Sequence, residues 1–190
     1  MKIRLKSARI FKSTDLMKST IIDTIYKRRS IREYTSEPVD TGTLREIVKA
    51  GCWAPSGLNN QPWRFVLITE HKTRASLAEQ TRYSHIVNAA PALIAVFIEL
   101  SSMYSEIKDH QSIGACIQNM LLATEELGLG AVWLGEILNQ KTRVNDILGI
   151  NDEFELMAVI AIGHPSHRNQ SSKRKDINSL IIKEILEAPE

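Results

Sequence analysis

Two short stretches of this sequence carry polar side chains at a spacing that could bind a small ligand. The first is "RRSIR", residues 28–32. If the chain is extended there, Arg28, Ser30 and Arg32 project on one side. Two guanidinium forks beside a hydroxyl form a donor cluster of phosphate size. The alternative is that these cations complement the end of a preceding helix and otherwise meet solvent.

The second stretch is "WAPSGLNNQPWRF", residues 53–65, in which Asn59, Asn60 and Gln61 are three consecutive carboxamides. A carboxamide places a donor and an acceptor side by side, which matches the edge of a pyrimidine-like ring. Proline, glycine, serine and asparagine also favour turns for local reasons. The residues alone therefore leave two interpretations open, an ordinary turn and a ligand-binding loop.

Both stretches lie next to predicted helices. Apolar residues at helical spacing from Ile21 to Tyr26 predict a helix that begins near Met17 and ends near Arg28 or Arg29. Asp40 is placed to cap the next helix, whose apolar stripe ends before Pro55.

Four short apolar runs predict strands that are buried on at least one face. They are "WRFVLIT", "ALIAVFIEL", "AVWLGEI" and "LMAVIAIGH". Between the second and third runs, residues 109–130 form a helical pattern with a core stripe that includes Leu127, and they are apolar on nearly all sides. Such a helix is expected to lie centrally or in a subunit interface. Further helices fit 72–81, 138–148 and 176–186, so the predicted class is α+β.

Composition restricts the remaining possibilities. The 190 residues, 43% hydrophobic, predict one domain over 17–190 after a basic extension at 1–16. A net charge of +2 provides no whole-chain attraction to nucleic acid or membrane. Two distant cysteines predict core thiols in a reducing compartment. With no leader or anchor pattern, we expect a cytoplasmic protein.

Two other motifs give weaker signals. The histidines of "HPSH", residues 164–167, lack acidic or cysteine partners in sequence, so no metal is predicted. In "GLGAVWLG" the glycines follow a helix and precede a strand, which is the wrong order for a dinucleotide-binding fingerprint. Any nicotinamide nucleotide is therefore expected to bind transiently.

Taken in order, "RRSIREY", "APSGLNNQPWRF", "IGACIQNMLLATEELGLGAVWLGE", "AIGHP" and "SSKRKDI" resemble the nitroreductase family of FMN-dependent oxidoreductases, over roughly residues 18–185. The resemblance implies a nitroreductase-like fold, with a central mixed, mainly antiparallel sheet of about four to five strands flanked by helices. It also implies an interlocked homodimer with active sites at the subunit interface.

The resemblance also implies roles for individual residues. The first motif would hold the phosphate, ribityl chain and pyrimidine side of FMN, and the second would reach the same flavin from the other subunit. The matching positions are Arg28, Arg29, Ser30 and Arg32 in the first motif, and Pro55, Ser56, Asn59 and Gln61 in the second. Asn60 falls on a variable position and is expected to be turn only.

Two further segments complete the implied site. Gly135 and Glu136 would lie beside flavin N5 and O4, mainly through backbone amides. Arg174 would close the phosphate site, with Lys173 as its competitor.

The implied activity is hydride transfer from NADH or NADPH, through flavin N5, to a nitroaromatic, a quinone or a related small electrophile. No side-chain nucleophile or acid is needed. One alternative is a flavin-binding protein that senses or consumes FMN. Another is a protein without flavin that binds nucleic acid through residues 1–12 and 168–175.

Overall fold

The computed structural model of the protein describes residues 20–187. The predicted extension at 1–16 and the predicted helix start at Met17 lie outside them. The helices are α1 (Thr20–Lys27), α2 (Thr41–Cys52), α3 (His71–Ala78), α4 (Ser84–Ala89), α5 (Glu106–Glu126) and α6 (Lys141–Leu148). The strands are β1 (Trp63–Ile68), β2 (Ala92–Glu99), β3 (Gly130–Leu134) and β4 (Phe154–Gly163).

The strands form one four-stranded sheet in the order β1-β2-β4-β3, and each neighbouring pair is antiparallel. A single parallel bridge between Ser30 and Ala131 attaches the segment after α1 to the edge strand β3. The sheet is therefore mainly antiparallel and flanked by helices, as the sequence predicted.

Helices cover both faces of the sheet. Ile94, Val96 and their neighbours on one face of β2 pack in a core with α2 and α5. Leu93 and Phe97, on the opposite face, pack in a second core with α3, α4 and α6. Because β2 is buried on both faces, it is apolar at nearly every position instead of alternating.

Helix α5 packs closely against α2. A side chain at Gly51 of α2 would place its Cβ 2.6 Å from Met120 Cγ and 3.0 Å from Cys116 Sγ. Glycine at this position therefore sets how near the two helices approach.

The two cysteines differ in their burial. Burial raises the pKa of the Cys116 thiol to about 12, so this cysteine is an inert core residue. Cys52 is only partly buried.

Several boundaries differ from the sequence predictions. The helix predicted over 176–186 is wrong, because only Ile177–Ser179 form a 3-10 turn there and the apolar side chains around it are exposed. A periodic pattern without a surface to pack against does not stabilise a helix. The run "AVWLGEI" leaves the sheet after Leu134 and enters a 3-10 turn, Glu136–Gln140. Leu127 follows α5 and is half exposed, so it is not a core residue.

The predicted cap of α2 agrees with the structure. The Asp40 side chain caps α2 by accepting from the Thr43 N–H at 2.9 Å. Among residues 20–187, no helix combines the length and apolar character that crossing a membrane requires.

The close α2–α5 contact generates a stability prediction. Gly51→Ala should lower the free energy of unfolding by about 1–2 kcal/mol, since overpacking outweighs the better helix propensity of alanine. Lys49→Ala is the matched control on an exposed face of α2, with an expected change within about 0.5 kcal/mol. Urea denaturation of both variants measures the difference. A stabilised Gly51→Ala variant would contradict the packing described.

Candidate functional site

The arginines of "RRSIR" converge with a loop that follows β4. Together they surround a cavity of about 380 Å³. Its lining residues are Arg28, Arg29, Ser30, Arg32, Gln170, Ser171, Ser172 and Arg174. We name this space the arginine cavity. Of the two late basic residues that compete for the phosphate role, Arg174 lines the cavity and Lys173 does not.

Backbone bonds at the sheet edge hold the first wall of the arginine cavity. The Ile31 N–H donates to the Ala131 carbonyl of β3 at 3.0 Å, and the Ile31 side chain is buried. Gly130 makes room for it, because a Cβ there would lie 2.6 Å from Ile31 Cγ1. The Tyr34 hydroxyl donates to the carbonyl of Ile31 at 2.6 Å and also lies 3.1 Å from the carbonyl oxygen of Ala161. These contacts fix the backbone from which Arg28, Ser30 and Arg32 extend.

The second wall of the arginine cavity is the loop after β4, and two backbone hydrogen bonds join the start of this loop to the segment that follows α1. Thr35 N–H donates to the His164 carbonyl at 2.9 Å, and Ser166 N–H donates to the Glu33 carbonyl at 3.1 Å. Two side-chain pairs join the same segments, His164 with Glu37 and His167 with Glu33. The loop after β4 is thereby directed back toward the arginines.

Arg29 differs from its neighbours. Its Nη1 donates to the carbonyls of Tyr26, Lys27 and Arg28 at 2.6, 3.2 and 2.9 Å. It therefore satisfies carbonyl groups at the C-terminal end of α1, as the helix-end interpretation of this motif expects. That interpretation describes Arg29 and leaves Arg28 and Arg32 without such a role.

The arginine cavity is strongly positive. Four guanidinium groups and three serine hydroxyls line it, and no carboxylate does. Within residues 20–187, none of these four arginines forms an ion pair. Uncompensated guanidinium groups interleaved with hydroxyl donors are the donor set that a phosphate dianion requires. The residues present therefore fit the phosphate of FMN.

The nearby basic run is less free than its sequence indicates. Arg168, at its start, donates to Glu125 at 2.8 Å and to the Leu129 carbonyl at 3.0 Å. Glu125 is correspondingly shielded from solvent instead of forming a solvated helix end. Residues 168–175 thus do not form a continuous strip of unpaired cations.

Residues 55–61, which we name the carboxamide loop, have a strained backbone. Leu58, Asn59 and Gln61 have φ values of 53°, 55° and 46°, in the left-handed region that non-glycine residues rarely occupy. The Gln61 N–H donates to Ser56 Oγ at 3.1 Å, and Gln61 Nε2 donates to the Asn59 carbonyl at 3.3 Å. Such strain persists only where surrounding contacts impose it, and it is concentrated at functional sites.

Asn60 is the carboxamide that anchors this loop, so the prediction that it is turn only is wrong. Its Nδ2 donates to the Ser102 carbonyl at 2.9 Å and to Asp109 Oδ1 at 2.7 Å. By contrast, Asn59 and Gln61 are exposed. Both bonds span more than forty residues, which is why sequence pattern gave no signal for them.

The two predicted halves of the site do not meet within one chain. Pro55 and Ser56 line a different cavity, of about 320 Å³, whose opposite wall includes Tyr104, Lys108 and Gln111. No residue is shared between this lining and that of the arginine cavity.

The Glu136 side chain is committed to holding a neighbouring turn. Its carboxylate accepts from the Thr81 hydroxyl at 2.6 Å and from the Arg82 N–H at 3.2 Å, and lies 3.4 Å from Arg82 Nε. The Thr81 bond is the main cause of a lowered pKa for Glu136. The Glu136 side chain is therefore already bonded within its own chain.

In the part of the chain spanning 20–187, no group of three or more histidine, cysteine, aspartate or glutamate side chains is arranged to hold a metal ion. The two histidines of "HPSH" instead contact Glu33 and Glu37 separately.

Comparison with known proteins identifies the family of this chain. The model of the nitroreductase family matches residues 25–87 and 70–164. A candidate NADH dehydrogenase/NAD(P)H nitroreductase of Archaeoglobus fulgidus is 31% identical over 144 residues, covering 74% of this chain and 83% of that protein. The NADPH-flavin oxidoreductase of Vibrio harveyi is 28% identical over 165 residues, covering 80% of this chain and 69% of the relative.

A solved structure is more similar still. It is a candidate nitroreductase from Desulfovibrio desulfuricans, crystallised in complex with FMN. It shares 47% identity and a TM-score of 0.83 with this chain, covering 87% of this chain and 97% of that one. With the family model matched over most of its length, this chain belongs to the nitroreductase family.

Proposed function

We propose that this protein is an FMN-dependent oxidoreductase that takes hydride from NADH or NADPH and passes it to a small electrophilic acceptor, such as a nitroaromatic compound or a quinone. The observation that carries the proposal is the arginine cavity, which is rich in guanidinium and hydroxyl donors and lined by no carboxylate. The FMN complex of the Desulfovibrio desulfuricans relative supports the choice of cofactor.

Arg28, Ser30 and Arg174 would hold the FMN phosphate by charge-assisted hydrogen bonds. Arg32 is more exposed than Arg28 and would lie toward the pyrimidine side, where its positive charge stabilises negative charge. Arg29 lines the cavity while it caps α1, so it adds positive potential from a fixed position. When bound, FMN supplies the redox chemistry, since its ring accepts a hydride from a reduced nicotinamide and gives it to an acceptor.

The carboxamide loop would complete the site from a second subunit. Pro55, Ser56, Asn59 and Gln61 lie away from the arginine cavity of their own chain, so a partner chain is required to bring the halves together. Ser56 already accepts from the Gln61 N–H, which fixes the loop before a ligand arrives. The backbone at Gly135 and Glu136 would contact the flavin ring, because the Glu136 side chain is bonded elsewhere.

Exposed apolar surface supports a homodimer. Trp53, which lies two residues before Pro55, and Leu58, which lies between Ser56 and Asn59, are 83% and 84% exposed in the single chain. Ile21 of α1 and Leu122 of α5 line an apolar cavity of about 360 Å³. Apolar surface of this extent commonly marks an interface between subunits.

The proposal predicts unequal effects for two adjacent cations. Arg174→Ala and Arg28→Ala should each weaken FMN binding by about 10- to 100-fold, since each removes a charge-assisted bond worth roughly 1.5–3 kcal/mol. Lys173→Ala removes the same charge one position away and should change affinity by less than about threefold. Quenching of FMN fluorescence by each apoprotein measures the three affinities. Equal losses for Lys173→Ala and Arg174→Ala would show that general charge, not the cavity, binds the phosphate.

A mixed dimer tests whether each site takes residues from two chains. Arg28→Ala and Gln61→Ala homodimers should both bind FMN weakly at two sites. In a heterodimer of the two variants, one site keeps both intact halves and the other loses both. We expect one FMN per heterodimer at parental affinity, measured by titration of the purified, differently tagged species. If both halves belong to one chain, the heterodimer will have no intact site.

A further inference from the structure

Asp109 of α5 is a buried carboxylate to which the proposed mechanism assigns no role. It is 0% exposed, and no ion pair within residues 20–187 includes it. A buried charge without a cation must be stabilised by hydrogen bonds. Its Oδ2 accepts from the N–H groups of Tyr104 at 2.9 Å and Ser105 at 2.8 Å, and its Oδ1 accepts from Asn60 at 2.7 Å.

The carboxylate stays charged at neutral pH. Burial raises the pKa of Asp109, but hydrogen bonds from Ser105, Asn60 and Tyr104 lower it by more than burial raises it. The pKa of Asp109 therefore lies below its usual value. Two of these bonds hold the chain just before α5, and the third, from Asn60, connects α5 with the carboxamide loop.

The Asn60 side chain can take only one orientation. Its two neighbours, the Ser102 carbonyl and Asp109 Oδ1, are both acceptors, so Nδ2 must face them. Asn60 Oδ1 is then buried without a partner among the described residues. Buried polar atoms are normally paired. The side chain keeps this orientation although Oδ1 stays unpaired, because the opposite orientation would set Oδ1 against two acceptors.

These contacts act on the strained part of the loop. Asn60 has ordinary helical dihedral angles, φ −69° and ψ −20°, whereas Asn59 and Gln61 on either side are left-handed. Asn60 is thus the fixed point between the two exposed carboxamides. Gly57 packs directly against Tyr104, whose N–H binds Asp109, because a Cβ at Gly57 would lie 1.8 Å from the Tyr104 hydroxyl oxygen.

We propose that Asp109 and Asn60 are positioning residues that hold Asn59 and Gln61 in the binding conformation, without touching the ligand themselves. This inference rests on the proposed function, since it supposes that the loop binds FMN. Asp109 has no exposed surface, so it acts through Asn60 and through the Tyr104 backbone. Losing the pair would release the left-handed residues toward more favourable dihedral angles and reduce affinity for FMN.

An exchange of the two side chains tests the proposal. Asn60→Asp sets two carboxylates against each other, and we expect FMN affinity to fall at least about tenfold. Asp109→Asn sets an amide against an amide, and we expect a loss of similar size. The double variant Asn60→Asp/Asp109→Asn restores a carboxylate–amide bond in the reverse direction, but the Ser102 carbonyl then faces a carboxylate oxygen. Affinity should therefore recover at least about threefold over the Asn60→Asp variant without reaching that of the parent. Asn151→Asp, at an exposed site, is the control for the substitution itself.

The readouts separate positioning from general stability. FMN dissociation constants come from fluorescence titration of the apoproteins, and melting temperatures of the same apoproteins report folding. Recovery of affinity in the double variant supports the proposal. Single variants that bind FMN like the parent, or a double variant whose loss equals the sum of the two, would overturn it. If a single variant does not fold, Asn60→Ala takes its place, with weakened binding expected and parental binding contradicting the proposal. A parent protein that binds no FMN would instead refute the proposed function.

Discussion

The arrangement of cations in this protein depends on one contact, the burial of Ile31 at the edge of the sheet. Ile31 donates its N–H to β3 and packs where Gly130 leaves space for it. Burying this side chain fixes a segment whose neighbours are arginine and serine. Several guanidinium groups close together repel one another and gain nothing from proximity unless an anion is present. Apolar packing and backbone bonding therefore hold in place a charge cluster that would not assemble on its own.

In the carboxamide loop, as at the arginine cavity, the side chains exposed to a ligand are held in place by other residues. Its exposed members, Asn59 and Gln61, have a backbone that is unfavourable for non-glycine residues. Asn60 and Asp109 supply the supporting contacts from the interior. In both places the side chains available to a ligand are held by residues that the ligand cannot reach. A preorganised site of this kind loses less entropy on binding than a flexible one does.

Sequence reasoning recovered what depends on local pattern. The strands, the Asp40 cap and the buried face of α5 follow from periodicity and capping chemistry, which are local properties. It failed over 176–186, because a helical stripe indicates a helix only where a packing surface exists.

The candidate site was predictable to a similar degree. The arginines and Arg174 were found by motif and now line one cavity, whereas the importance of Asn60 depends on a partner 49 positions away. Within "SSKRKDI" the resemblance assigns a role only to Lys173 or Arg174, so it gives no signal for Ser171 and Ser172. Long-range pairing of this kind has no periodic signature in a single sequence.

The most direct test of the account is the visible absorption spectrum of the purified protein, followed by anaerobic titration with NADH and with NADPH. We predict a bound flavin whose visible band is bleached by at least one of the two nucleotides and then recovers when a quinone or nitroaromatic compound is added. A colourless protein that takes up no FMN would contradict the assignment of the arginine cavity. A bound flavin that neither nucleotide can bleach would contradict the proposed activity and favour a protein that senses or consumes FMN.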